Sequence, residues 1–194
     1  MPNRLPGLSP GGTGAFGARG YRVEVTVRPG VDPLLELDDI ACVLGDALHA
    51  AGAPTPSTVG LILSNDEELA RLNREHMGED GPTDVLSFPL LPPSAYPPHE
   101  GQDPADREPD EPQFALPPGA ALHLGEIVVS VERAIEQAEQ GRGGQTADVA
   151  WSAADELRLL VTHGGLHLCG WDHERPDEEA AMRSLERRLL AADR

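Results

Sequence analysis

Three of the chain's seven histidines stand close together in the segment HGGLHLCGWDH, which places His163, His167 and His173. His163 and His167 are four residues apart, so on an α-helix their imidazoles project from one face about one turn apart and can grip a single ion. Gly170 permits a left-handed or tight turn that ends the helix and returns His173 toward the same ion. Three neutral imidazoles suit zinc (Zn2+) or another borderline divalent metal. A tetrahedral ion with three protein ligands keeps a fourth position for water or substrate, which is a catalytic rather than a closed structural arrangement. The zinc-protease pattern H-E-x-x-H-x-x-G-x-x-H has the same histidine and glycine spacing, but its general-base glutamate falls here on Gly164. Peptide hydrolysis by that route is disfavoured, and metal-assisted hydrolysis of another substrate is left open.

The elements that must position these residues are legible in the periodicity. Ser152 with Asp155 forms a capping-box pattern that opens a long helix through Cys169, where Gly170 breaks it. Cys169 is two residues from His167, so it points away from the metal face as a packed thiol, and Trp171 beside the turn reads as a cover. A last helix starts at Pro176 with Asp177, Glu178 and Glu179 in its first turn, and it buries Met182, Leu185 and Leu189. Upstream, YRVEVTVR alternates apolar and polar residues as a half-buried strand, and Leu37 to Ala51 carries a helical apolar stripe. Further strands are expected at TVGLILS, at Asp84 to Leu90 and at Leu124 to Val131, with helices after Asp66 and over Glu132 to Gln140. The result is a single α+β domain over residues 21–194: a small mixed four-stranded sheet packed by helices, with a metzincin-like metal site. Residues 1–20 read as a disordered tail, and residues 91–120 as a flexible, acidic, proline-rich insertion.

A net charge of −18 argues against nonspecific coating of nucleic acid, although a metal ion and a few arginines still act at short range. Two cysteines make no disulfide framework, and nothing resembles a signal peptide or a membrane span. The expected location is the cytoplasm, without membrane association.

Several motifs occur together in one order: LSND at Leu63 to Asp66, ELARLN at Glu68 to Asn73, GPTDVLSFP at Gly81 to Pro89, LGEIVVS at Leu124 to Ser130, and THGGLHLCGWDH. In these the chain resembles the YbeY family of bacterial rRNA maturation factors. The resemblance implies a single-strand-specific, metal-dependent endoribonuclease with one zinc on three histidines, acting in 16S rRNA 3′-end maturation and ribosome quality control. Its partners would be ribosomal RNA and the ribosome or ribosomal proteins. Glu126 replaces the family's aspartate, and Met77 stands where members carry an arginine, leaving Arg74 or His76 to supply the cation. His163, Asp84 and Asp172 are the candidates for catalysis or for orienting the ligands, and Arg74 and Ser87 for substrate contact. With RNA as substrate its 2′-hydroxyl is a possible nucleophile, which removes the need for a base at Gly164. A ribosome-associated factor with a mainly structural metal is the third reading, and the acidic surface favours it somewhat.

Overall fold

The computed structural model describes residues 12–103, 121–141 and 151–192. In its sheet, β2 (Tyr21–Val27) buries Val23, Val25 and Val27 on one face and turns Arg22, Glu24 and Thr26 outward. It pairs in parallel with β3 (Ser57–Ser64), which pairs in parallel with β5 (Leu122–Ser130). Antiparallel strands close both edges: β1 (Thr13–Ala18) beside β2, and β4 (Val85–Pro89) beside β5. The order is β1-β2-β3-β5-β4, a mixed five-stranded sheet.

The extra strand corrects the reading of residues 1–20 as a tail. Ala18, Arg19, Gly20 and Tyr21 form a two-residue hairpin in which both Arg19 and Gly20 have positive φ, as a type I′ turn requires. Residues 1–11 lie outside the described segments.

Parallel neighbours need crossovers, and helices supply them. Helix α1 (Leu37–Ala50) joins β2 to β3 and buries Ile40, Leu44 and Leu48. Together with α4 (Ala153–Leu168) and α5 (Pro176–Ala192) it builds the main core on the sheet face that carries Leu61, Leu63, Ile127 and Val129. Helix α2 (Asp66–His76) covers the opposite face, where Leu69 meets Leu86 and Val128. Asn65 caps α2 by accepting from the Glu68 amide at 3.0 Å. Helix α3 (Val131–Glu139) follows β5 directly.

The first part of the insertion is not loose. Residues 91–103 form a strap in which Tyr96 is buried in the main core, flanked by Leu91 and Ala95. The remainder of the insertion, residues 104–120, lies outside the described segments. Among the described residues, no helix is long and apolar enough to cross a membrane.

Candidate metal centre

Helix α4 carries two of the three histidines, and its ends are firmly set. Ser152 accepts from the Asp155 amide at 3.1 Å while Asp155 accepts from the Ser152 amide at 3.0 Å, so the expected capping box is present. At the other end Gly170 adopts φ +84°, its amide donates to His167 O, and the Trp171 amide reaches back to Leu166 O. That pair of bonds is a Schellman motif, which stops the helix and swings the chain toward His173.

The position of the missing protease base has a steric explanation. A Cβ on Gly164 would lie 2.8 Å from Ile127 Cγ2 and 2.9 Å from Val85 Cγ2, and one on Gly165 would lie 2.9 Å from Leu44 Cδ1. The two glycines let α4 lie close against the sheet and against α1. Residue 164 therefore faces the core and not the histidines.

The three imidazoles converge as their spacing predicts. One ring nitrogen from each of His163, His167 and His173 lies within 4.8 Å of the other two, and the Nε2 atoms of His163 and His167 are 3.0 Å apart. A tetrahedral zinc with bonds of about 2.0–2.1 Å holds neighbouring nitrogens about 3.3 Å apart, so the donor set fits such an ion. Burial first, and then the closeness of His163 and His173, pushes the His167 imidazole down to about 4. It is therefore neutral at pH 7, with a lone pair to offer. His163 and His167 are part-buried and His173 is exposed, so the site is open on the side of the loop.

A carboxylate not identified in the sequence completes the anchoring. Glu186 on α5, buried, accepts from His163 Nδ1 at 2.7 Å, which leaves the Nε2 lone pair available to a metal. Its signal was present: Met182, Leu185, Glu186 and Leu189 follow helical spacing, and an acid on a buried stripe needs a partner. Glu178, also on the inward face, accepts from the Asp172 amide at 3.1 Å.

The other expected residues divide. Asp172 Oδ1 accepts from the His173 amide at 2.7 Å, so it shapes the ligand turn. Ser87 donates to Gly164 O at 2.8 Å, tying β4 to α4. Asp84 accepts from the Val85 amide and from Gln137 Nε2, bracing the far end of β4. Arg74 lies on α2, on the other face of the sheet, paired with Asp80 at 2.9 Å. It lines a groove of about 600 Å³ with Arg28 and Arg71. Trp171 is 9% exposed and stacked on a ring of the strap, so it covers the turn and offers no open face to a base. Burial pushes the Cys169 thiol up to about 12, consistent with a packed, inert group.

A family model described as Endoribonuclease YbeY matches residues 37–193. The chain belongs to this family. Relatives named Endoribonuclease YbeY include that of Symbiobacterium thermophilum, 40% identical over 75% of this chain and 78% of its own length. The one from Roseiflexus sp. is 41% identical over 71% of both chains, and that from Salinispora tropica 37% identical over 88% of this chain and 94% of its own. The solution structure of TM1509 from Thermotoga maritima is similar in fold, with a TM-score of 0.51 at 23% identity over 89% of this chain and 88% of that one. The YbeY match covers all three histidines and Glu186.

Proposed function

We propose that this protein is a metal-dependent endoribonuclease that cuts single-stranded RNA, working in 16S rRNA 3′-end maturation and ribosome quality control with one zinc on His163, His167 and His173. The observation that carries the reading is the convergence of three ring nitrogens on one open point, in a chain of the YbeY family. Bound there, the ion supplies Lewis-acid polarisation of a phosphodiester oxygen or of a water. Glu186 fixes the His163 tautomer, and Asp172 and Glu178 hold the turn that delivers His173. Position 164 supplies no base. Attack by the RNA's own 2′-hydroxyl on the neighbouring phosphorus, closing a 2′,3′-cyclic phosphate as the 5′-oxygen leaves, needs no base at position 164. Asp172 and Glu174, the acids on either side of His173, are the candidates to take the hydroxyl's proton and to return one to the leaving oxygen.

Arg74 fits a phosphate-contacting role only with Arg28 and Arg71 beside it in the groove on α2. Each of these guanidiniums already faces Glu68, Glu75 or Asp80, so RNA competes with carboxylates there. This acidic setting and the charge of −18 support the second reading, a ribosome-associated factor whose metal is mainly structural. Elemental analysis and RNA cleavage by the wild type beside His163→Ala/His167→Ala separate the two. The endoribonuclease reading expects about one zinc per chain, lost in the variant together with cleavage of single-stranded rRNA segments. Zinc lost with the fold, while residual folded variant cleaves at the wild-type rate, favours the structural metal.

A further inference from the structure

His163 and His167 stand on one rigid helix, whereas His173 sits on the exposed loop between α4 and α5. Something must hold that loop if the third nitrogen is to wait at the ion's position. The strap of residues 91–103, far away in sequence, touches it at three places and the first turn of α5 at a fourth. Pro93 backs onto Gly170, where an added Cβ would meet Pro93 Cβ at 3.1 Å. The His99 ring stacks on Trp171 with centroids 4.0 Å apart and planes 11° from parallel. Gly101, at φ +84°, lies so close to the start of α5 that a Cβ there would be 2.5 Å from Glu178 Cα. Asp103 pairs with Arg175 at 2.5 Å.

His99 is the centre of this contact. Its side chain is 6% exposed, and its Nε2 lies 3.3 Å from Gly170 O and 3.4 Å from Glu178 Oε1. Both are acceptors, so Nε2 is the donor in either contact. The same Glu178 carboxylate accepts from the Asp172 amide, one residue before His173. Tyr96, buried in the main core, anchors the strap from below. One imidazole thus bridges the helix stop, the covering indole and the carboxylate that shapes the ligand turn.

We propose that the strap is a clamp on the third metal ligand and that His99 is its positioning residue, acting on the ion only through His173. The inference rests on the metal-centre reading above. Preordering a ligand loop removes an entropic cost that binding would otherwise meet, so loosening the clamp weakens metal retention without removing a ligand.

The test titrates Zn2+ alone against a chromogenic chelator in the full-length protein: wild type, His99→Ala, His173→Ala and the double variant, with metal-free folding followed by circular dichroism. In the wild-type background, His99→Ala weakens zinc binding about tenfold, the low end of the range for partners that orient ligands. In the His173→Ala background the same change shifts affinity by less than about twofold, because the ligand it serves is gone. His99→Phe keeps the stack but drops the polar contacts. It loses about threefold and replaces His99→Ala as the probe if that variant does not fold. Wild-type zinc affinity in a folded His99 variant overturns the clamp, as does an equal loss in both backgrounds, which is the mark of general damage. A wild type that binds no zinc overturns the metal reading itself, and the clamp with it.

Discussion

His163 is fixed from behind by a buried carboxylate, and His173 by the hydrogen bonds of its turn. Glu186 is the partner with most to lose, because it sets which nitrogen of His163 is free. Glu186→Ala is expected to lower zinc affinity about 10- to 100-fold, and Glu186→Gln less, since the amide oxygen still accepts from Nδ1. Competition with a chelator measures both, and equal affinities across the three proteins would show that the contact has no hold on the ligand. The three histidines were legible because two of them share a helical face and the third follows a glycine stop. Glu186 was obscured by distance in sequence, since its partner lies on another helix. Asp84, beside a strand, suits bracing the backbone as well as catalysis in the sequence, and Asp172, next to His173, reads first as an orienting group. The fold shows Asp84 bracing a strand end and Asp172 shaping the turn before His173.

At the scale of elements, the closeness of α4 to the sheet is set by missing side chains. Gly164→Ala puts a methyl into Ile127 and Val85, and the forced shift is expected to cost about 1–3 kcal/mol in urea unfolding. Lowered zinc affinity should accompany it, because the neighbouring residue is His163. Helix α2 is tied to the end of β2 by Arg28, which donates to both oxygens of Glu68 at 2.8 and 2.7 Å. That bidentate pairing, with Ser64 also donating, holds the Glu68 carboxyl below its ordinary value of 4.5. A carboxyl with a folded value below its unfolded one stabilises above the unfolded value and loses that contribution as pH falls. Wild type should therefore exceed Glu68→Gln by about 1 kcal/mol or less at pH 7, and the gap should shrink as pH falls below the ordinary carboxyl value. A gap that persists in acid would assign the difference to packing instead. The helices and central strands were readable from caps and apolar spacing. The strand TGAFGA was not, for it offers one large apolar residue and owes its identity to the hairpin turn and to β2.

At the scale of the whole molecule, the consequence of β1 is that the domain begins earlier than composition implies. Ala18 lies beneath Gly45 of α1, where a Cβ would approach within 2.6 Å of it, so the edge strand also seats a helix. A chain starting at Tyr21 would bare the hydrogen-bonding edge of β2 and lose that seat. Its unfolding temperature is expected to fall by several degrees or more, with more self-association, as thermal scans and light scattering would show. An unchanged midpoint would make β1 dispensable. The insertion shows the same limit from the other side. Its prolines and acids read as flexible, yet residues 91–103 pack because Tyr96 and His99 find partners on segments that no local pattern connects to them.

At position 164 a glycine stands where the zinc-protease pattern carries its base, and the missing side chain has a consequence for what chemistry this helix can host. A carboxylate there would be driven against Ile127 and Val85, with the Ser87 hydroxyl, already given to the Gly164 carbonyl, as its nearest polar neighbour. The close seating of α4 on the sheet thus keeps a proton-transfer group off this position of the helix, and any such group must reach the three histidines from another element.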